Sequence, residues 1–544
     1  MDSLPTMSSL PAIKALTTMN LEVSALRGIQ LVAVMGVLLL LSSRLFGPRK
    51  LGKALPSPGG LPWAGPVWAV EASNIYKTFK TWSEKFGMLY EVKLFGQNLI
   101  IISDPQIAKE ILAQKAKTVS DRPSLALVKG SKDSGKYLPF LGNNDHLVRQ
   151  RRFGVLINTW TAQQNYHGRM YPESLRFVNL LLEKHDDPFH LVDQVCRRLS
   201  CRMAFGTPAP GAAIATAAHN FMQNLSPGGQ ITNVLTFLRF LPKELNSDKV
   251  NEHIRVDVED RVWIGCYNKA LAAYNNGTLR DSYAKYYFEQ REKTGLSEEE
   301  ALHGIAMMAT VSILTLIAPL QRWLVVMSEH PEWQAAVQNE LDNVLQGRMA
   351  DVTDSPQLPV LRASIIESVR FASPVPTGIP HRLEESMEYK GYHLAKDSNV
   401  LACDWSMCRS SKFYADPDTF NPDRWLNPES PCYKEPLTKF PKLEGHTVFG
   451  WGRRVCIGQE YAAAQMLCVC AAVAYAFNIR PGRDENGNIV HVDINKSTPN
   501  VIPILEENPG LVFEPRSQAH AEKIRNSWTA MKAQDEEYVN DECA

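Results

Sequence analysis

The sequence predicts a mainly α-helical domain with a minor β part, which follows an N-terminal transmembrane anchor. Three observations support this fold class: an apolar run near the N-terminus, long stretches of helical periodicity, and a few stretches of strand-like alternation. The 544 residues are 44% hydrophobic and 21% charged, which excludes wholesale disorder. The 58 basic and 58 acidic residues balance, so a nucleic-acid-binding protein is not expected.

The predicted anchor comprises residues 28–46. Positions 28–43 carry no charge, and Leu45 and Phe46 bring the length close to the roughly 20 residues that span a bilayer. Four basic residues lie between positions 44 and 53 and only two between 1 and 27. The positive-inside rule therefore predicts a short lumenal segment at 1–27 and a cytosolic body. A cleaved signal peptide is the alternative, but no small-residue cleavage site precedes Arg44.

Residues 47–66 are predicted to form a basic, Pro- and Gly-rich hinge. Positions 55–66 contain four prolines and three glycines, a density that breaks helices and strands alike. No internal repeat and no second linker follow, so residues 67–544 are expected to form a single domain.

The body of the chain is helical by pattern. The uncharged run at 304–321 resembles a membrane span, but we expect a central helix that is apolar all round because protein surrounds it. Residues 358–371 predict another helix, and Pro374, Pro376 and Pro380 then require extended chain. Alternation at 389–401 predicts a small sheet beside the helices.

The chemically informative cysteine is Cys456, in the segment Phe449-Gly-Trp-Gly-Arg-Arg-Val-Cys-Ile-Gly458 before an apolar helical stretch. The helix N-terminus and the nearby arginines are expected to favour its thiolate. Glycines at 452 and 458 would let a large flat ligand approach the backbone. By contrast, Cys403 and Cys408 have no matching Cys/His pair nearby, so no zinc site is predicted there.

This segment resembles the haem-binding signature of the cytochrome P450 family. Phe449, Gly452, Arg454, Cys456 and Gly458 occupy every fixed position of F-x-x-G-x-R-x-C-x-G. The resemblance extends over most of the chain, and it implies the cytochrome P450 fold with a single haem domain.

Two further motifs resemble that family, in the expected order. Glu367 and Arg370 match its E-x-x-R pair, and three-residue spacing on a helix places them on one side. Downstream, Asp416-Pro-Asp-Thr-Phe-Asn-Pro-Asp-Arg-Trp425 resembles P-x-x-F-x-P-x-R-[FW]. The resemblance implies that Arg424 completes a Glu–Arg–Arg structural network.

The resemblance also implies residue roles. Cys456 would be the axial ligand of the iron of haem b, held in a loop that includes Phe449 and Gly452. Arg454, His381 and Arg151 would contact the haem propionates. For His381 the alternatives are a surface histidine, or Arg382 in that role. Leu147 replaces the tryptophan of the family's W-x-x-x-R motif, so one propionate contact rather than two is expected from this segment.

The helix expected to activate oxygen departs from the family pattern. The motif [AG]-G-x-[DE]-T-T aligns with residues 311–316, which places Thr315 at the oxygen-binding alcohol and Ser312 at the usual glycine. Leu314 replaces the acid, so a carboxylate cannot deliver protons from this turn. Pro319 has no N–H for the carbonyl of Thr315, which leaves an acceptor for water. The alternative for Thr315 is a threonine bonded to its own helix.

The implied function is a haem-thiolate monooxygenase that oxidises a lipophilic small molecule with O₂. The overall look resembles fungal microsomal members of secondary metabolism, so we expect an endoplasmic reticulum membrane protein. Electrons would come from NADPH through a separate NADPH-cytochrome P450 reductase, because the chain has no flavin or dinucleotide motif.

Alternatives to this function remain open. The missing acid leaves room for oxidative coupling or ring closure by the same haem, and for a haem-thiolate isomerase, dehydratase or gas sensor. A membrane-anchored binding module without haem is a third possibility.

Overall fold

The computed structural model describes residues 51–534, except 72, 129–130, 164–168, 185–186, 227–229, 495 and 509, together with residue 538. The predicted lumenal segment and transmembrane anchor therefore lie outside the described residues.

Helices dominate the described chain. They are α1 (Ile75–Phe86), α2 (Pro105–Ala108), α3 (Ala116–Val119), α4 (Asp145–Gln163), α5 (Met170–Leu182), α6 (Pro188–Phe205), α7 (Gly211–Leu225), α8 (Ile231–Val234), α9 (Ser247–Asn275), α10 (Tyr283–Thr294), α11 (Glu298–Glu329), α12 (Pro331–Leu345), α13 (Pro359–Phe371), α14 (Asp404–Cys408), α15 (Gln459–Ala476) and α16 (Gln518–Gln534). A π-helical segment covers Lys109–Gln114. Short 3₁₀ turns lie at Val67–Ala69, Leu138–Phe140, Thr236–Phe240, Lys243–Leu245, Val352–Gln357, Pro422–Trp425, Thr447–Phe449 and Gly452–Arg454.

The β part is small, as the sequence predicts. The strands are β1 (Leu89–Leu94), β2 (Gln97–Ile102), β3 (His381–Arg382), β4 (Met387–Tyr389), β5 (Tyr392–Leu394), β6 (Asn399–Ala402), β7 (Phe477–Arg480) and β8 (Val512–Pro515). The largest sheet has the order β1-β2-β6-β3, in which β2 and β6 run parallel and the outer pairs antiparallel. Strands β4 and β5 form one two-stranded sheet, and β7 and β8 another.

Helix α11 is the predicted central helix. A capping box starts it: Glu300 N donates to Ser297 Oγ at 3.1 Å, and Ser297 N donates to Glu300 Oε2 at 3.1 Å. Its 32 residues are long and apolar enough to cross a membrane, yet 67% of its most apolar window is buried inside the protein. The helix continues through Pro319. The expectation of a buried core helix, rather than a second membrane span, is confirmed.

The chain divides into two units, and the larger one comprises residues 55–386 and 394–544. Within it, the Pro- and Gly-rich segment 55–66 is hydrogen-bonded to neighbouring chain: Glu91 N donates to Pro56 O at 2.9 Å and Gly96 N to Trp63 O at 2.9 Å. This part of the predicted hinge is therefore attached to β1. In the smaller unit, residues 51–54 run beside 387–393, with Lys53 N donating to Gly391 O at 2.8 Å.

Helix α13 takes its N-terminal cap from another helix. Leu358, which precedes it, makes no side-chain cap. Instead, the carboxyl group of Glu340 on α12 accepts hydrogen bonds from Val360 N at 2.7 Å and Leu361 N at 2.9 Å. Burial raises the pKa of Glu340 from 4.5 to about 7, against the lowering effect of these two N–H groups.

We predict that this carboxyl group makes stability pH-dependent. It binds its proton more tightly in the folded chain, so the free energy of unfolding falls as the pH rises from 4.5 to about 7, by at most about 3 kcal/mol. Glu340→Gln should flatten this dependence, measured by urea unfolding at several pH values in that range. Parallel curves for both proteins would contradict the assignment.

Candidate functional site

A tight loop holds Cys456 between two 3₁₀ turns and α15. Cys456 N donates to Phe449 O at 2.7 Å, which closes the loop. Gly458 N donates to Cys456 Sγ at 3.3 Å. The backbone thus fixes the position of the sulfur and presents an N–H group to it.

Cys456 is exposed, although it lies deep among the atoms of the protein. Its exposure is therefore to a space inside the protein. Burial raises the pKa of the Cys456 thiol, and this outweighs the lowering effects of the Gly458 N–H and of Arg151. The N–H at the start of α15 and a nearby arginine do favour the thiolate, as expected, but that arginine is Arg151, and the cost of burying the charge is larger than both effects.

The glycine at 452 has a different role from the one predicted. Gly452 has φ +58°, and a Cβ there would lie 2.3 Å from Leu112 O and 2.8 Å from Ala113 Cα. It is needed for close packing of the loop on the segment Lys109–Gln114, rather than for ligand approach. Gly458 fits the predicted role better, since its Cβ would lie 3.8 Å from Cys456 Sγ.

One narrow face of α11 is accessible inside the protein. Between 304 and 328 every residue is buried except Met308, Val311, Ser312 and Thr315, which are half-buried. This spacing places all four on one side of the helix. The cysteine loop approaches the same face at Gly154, where an added Cβ would clash with Ile457 Cδ1 and lie 3.8 Å from Met308 Sδ.

The two predicted catalytic hydroxyl groups both lie on this face. Thr315 Oγ1 donates to Val311 O at 2.8 Å, which is the helix-bonded alternative. Ser312 Oγ is bonded to Ser200 Oγ of α6 at 2.7 Å and to Ala309 O at 2.9 Å. Leu314 does not share this accessible face, since it is 3% exposed and belongs to the apolar core.

Basic side chains converge behind the loop. Arg454 Nε donates to Ser120 O at 2.7 Å, and Arg151 Nη2 donates to Val455 O at 2.7 Å. Arg122 Nη1 donates to Ile379 O at 2.9 Å.

These buried cations raise one another's energy. Burial and then the guanidinium groups of Arg454 and Arg151 lower the pKa of Arg122 well below its usual value. Burial and Arg151 lower the pKa of Arg454 to about 10. Asp121 is the acid that acts on both. A cluster of this kind favours an additional anion, whose charge would relieve the repulsion.

His381 belongs to the same cluster. It is 5% exposed, and its Nδ1 lies 2.8 Å from Val119 O. Burial, followed by Arg122 and Arg454, lowers its pKa well below the usual value. The surface alternative for His381 is therefore excluded, and Arg382 is paired with Asp397 at 2.7 Å.

The predicted Glu–Arg–Arg residues form a buried network. Glu367 Oε1 lies 2.8 Å from Arg370 Nη2 and 3.1 Å from Arg424 Nε, and all three side chains are buried. Trp425 Nε1 donates to Glu367 Oε2 at 2.9 Å. Arg370 Nη1 donates to the carbonyl oxygen of Cys408 at 2.8 Å, which ties α13 to α14.

The family model for cytochrome P450 matches residues 55–495. The chain belongs to the cytochrome P450 family. Similar proteins include cytochrome P450 monooxygenase psoD of Aspergillus fumigatus, which is 30% identical over 79% of this chain and 85% of its own length. Cytochrome P450 monooxygenase virE of Hypocrea virens is 25% identical, over 87% of each chain. Cytochrome P450 monooxygenase 58 of Postia placenta is 27% identical, over 88% of this chain and 90% of its own length.

The resemblance and the enzyme class predicted from the sequence, a cytochrome P450 monooxygenase, are therefore confirmed. The family implies a haem bound through a cysteine thiolate. The residues fit such a group: an accessible sulfur that receives an N–H, opposite a half-buried helix face, beside a buried cluster of cations.

Cys408 lies in a second cluster, with Asp404 and His446, whose ligand atoms are within 4.8 Å of one another. The spacing of these three residues in the sequence does not show that they lie together. Val448 N donates to His446 Nδ1 at 3.1 Å, so the proton of the neutral imidazole is on Nε2, the nitrogen that faces Cys408 Sγ at 3.9 Å. A metal would need a lone pair there, so we assign a hydrogen-bonded cluster and not a metal centre.

Two residues of the site were missed by the sequence reasoning. Arg122 sits in Asp-Arg-Pro within a loop, and a single arginine gives no sign that it is buried. Ser200, the partner of Ser312, lies on an otherwise ordinary helix. They can be identified only once the fold brings distant segments of the chain together.

We predict that the two glycines of the loop, Gly452 and Gly458, differ in how well they tolerate substitution by alanine. Gly452→Ala should lower the free energy of unfolding by about 2–4 kcal/mol, because it combines a left-handed backbone with a backbone clash. Gly458 has φ −95°, and an added Cβ would lie at an ordinary contact distance from its nearest neighbour. Gly458→Ala should therefore cost under about 1 kcal/mol. Denaturant unfolding of both variants measures the difference, and equal losses would refute the packing role.

Proposed function

We propose that this protein is a haem-thiolate monooxygenase in which Cys456 ligates the iron of haem b. The observation that carries this is the Cys456 sulfur, which is accessible within an enclosed space and receives the Gly458 N–H at 3.3 Å. The half-buried face of α11 supplies the second wall of the site, on the evidence of its shared contact at Gly154.

A bound haem supplies the oxygen-activating chemistry, and a thiolate ligand favours O–O cleavage. The Gly458 N–H would hold the sulfur in place and spread its charge. Arg122, Arg151 and Arg454 would hold the propionates, because their mutual repulsion favours an incoming negative charge. His381, whose Nδ1 lies 2.8 Å from Val119 O, would join them by binding a second proton on Nε2, which the anion would favour.

Proton delivery would depend on hydroxyl groups. Thr315 can offer its proton to a ligand only by turning away from Val311 O. Ser312 Oγ donates to Ser200 Oγ at 2.7 Å, so it too would have to turn to offer its proton, and a water would have to replace the proton that it gives up. Pro319 has no N–H, which leaves the carbonyl oxygen of Thr315 to accept from a water.

The substrate is proposed to be a lipophilic small molecule, since apolar Met308 and Val311 line the accessible face next to the two hydroxyl groups. Electrons would come from an NADPH-cytochrome P450 reductase. The fungal relatives favour a place in secondary metabolism.

The haem assignment predicts a carbon monoxide signature. The dithionite-reduced protein with carbon monoxide should show a strongly red-shifted Soret band, which Cys456→Ala abolishes and the control Cys432→Ala retains. Absence of haem from the wild-type protein, or a red-shifted band that persists in Cys456→Ala, would refute the proposal.

Turnover with ¹⁸O-labelled dioxygen then separates the reaction types on the same protein. One labelled oxygen atom in the product identifies monooxygenation. A dehydrogenated or coupled product without label identifies oxidative coupling, and product formed without oxygen identifies a haem-thiolate isomerase or dehydratase.

We also propose that the catalytic domain is cytosolic and lies against the endoplasmic reticulum membrane. Two segments of the larger unit meet where Trp63 packs edge-on against Phe237, at 5.8 Å between ring centroids. Exposed apolar side chains cluster in these segments, among them Phe240 at 77% exposure: Leu61, Trp63, Trp68, Ile231, Phe237, Phe240 and Leu245. Such aromatic-rich surface suits the lipid–water interface.

This orientation predicts the glycosylation pattern. Asn276 is exposed in an Asn-Gly-Thr triplet and should stay unmodified when the full chain is expressed in microsomes, whereas an acceptor triplet introduced within residues 1–27 should gain a glycan. A glycosidase-sensitive mass shift reports either one. Glycan on Asn276 would reverse the proposed topology.

A further inference from the structure

The carboxylate of Asp404 joins three segments in the interior. Asp404 is 2% exposed and begins α14. Its Oδ2 accepts from Ser373 Oγ at 2.6 Å, and its Oδ1 accepts from Thr447 Oγ1. Cys408 Sγ also donates to Oδ2, at 3.7 Å. All three partners are neutral groups. A carboxylate is expensive to bury with such partners, which indicates that its charge or its geometry is used.

Thr447 connects Asp404 to the cysteine loop. It begins the 3₁₀ turn Thr447–Phe449, which is closed by Gly450 N donating to Thr447 O at 3.0 Å. The turn ends at Phe449, whose carbonyl oxygen accepts from Cys456 N at 2.7 Å. One side-chain hydrogen bond, one turn and one backbone hydrogen bond therefore link the carboxylate to Cys456.

The other end of the link is equally fixed. Ser373 follows α13, which carries Glu367 and Arg370. Arg370 holds the carbonyl oxygen of Cys408, the last residue of α14. Helix α14 is thus held at its first residue through Ser373 and at its last through Arg370, which connects the backbone of Asp404 to the buried network.

We propose that Asp404 and Thr447 are positioning residues for the Cys456 loop, and that the Asp404 carboxylate also lowers the reduction potential of the haem iron. The inference rests on the proposed function. The hydrogen bond to Thr447 holds the turn that sets the direction of the Cys456 amide. When ionised, the Asp404 carboxylate would stabilise the more positive, oxidised state of an iron held by Cys456, because interior charges are weakly screened.

The geometric part is tested at Thr447 in the haem-loaded full chain. Thr447→Val keeps the shape of the side chain and removes the hydroxyl group, whereas Thr447→Ser keeps the hydroxyl group. Loss of the hydrogen bond to Asp404 should accelerate decay of the red-shifted carbon monoxide band about tenfold in Thr447→Val. Thr447→Ser should behave as the wild type.

The electrostatic part is tested at Asp404. Asp404→Asn should shift the midpoint potential of the iron to a more positive value. The control is Asp418→Asn, on an exposed carboxylate paired with Arg409 at 2.6 Å, which should leave the potential unchanged. A role limited to folding would lower stability without moving the potential in protein that retains full haem content.

The outcomes distinguish failure of the proposed function from failure of the inference about Asp404 and Thr447. A wild-type protein without the red-shifted band refutes the proposed function itself. A wild-type protein with that band, but with unchanged band decay in Thr447→Val and unchanged potential in Asp404→Asn, refutes this inference alone. Should Asp404→Asn fail to accumulate, the Thr447→Val and Thr447→Ser pair still decides, since equal decay in both overturns the positioning role.

Discussion

The amide of Cys456 donates to the carbonyl oxygen of Phe449, and much of the surrounding structure serves to hold this one short turn. On one side the missing side chain of Gly452 lets the loop lie against the backbone of residues 112–113. On the other side Thr447 is bonded to the buried Asp404. Behind them, Glu367 binds two arginines and a tryptophan in a network whose charged side chains are buried. The packing at Gly452, the hydrogen bond of Thr447 and the Glu367 network together restrain the loop, and the loop fixes the position of the Cys456 sulfur.

The cationic cluster shows how a protein prepares for a ligand that it does not itself provide. Buried guanidinium groups usually have carboxylates as partners. Arg122 and Arg454 instead use their N–H groups on backbone carbonyl oxygens, which satisfies hydrogen bonds without neutralising charge. The remaining positive potential is unfavourable for the polypeptide alone. It becomes favourable when an anionic group enters, so binding of such a group and stability of the fold are coupled.

Motifs made of neighbouring residues could be predicted from the sequence, and features made of distant ones could not. The Cys456 loop, the Glu367–Arg370 pair and the central helix are local, and the structure has them where the sequence indicates. The accessible face of α11 depends on what packs around the helix, and an all-round apolar sequence carries no periodic sign of it. The cost of burying the Cys456 thiolate could not be predicted for a related reason, because the helix and the arginines are visible in the sequence whereas the depth of burial is not.

The position of Leu314 limits how this enzyme can change. Its side chain is packed in the apolar core, 3% exposed, and does not share the accessible face with Ser312 and Thr315. A carboxyl group introduced there would be desolvated, and it would hold its proton instead of exchanging it. Restoring the family's acid in a single substitution would therefore add a neutral, destabilising group. A functional acid at position 314 would therefore require at least two coordinated changes, one that brings the acid and one that gives it a polar partner.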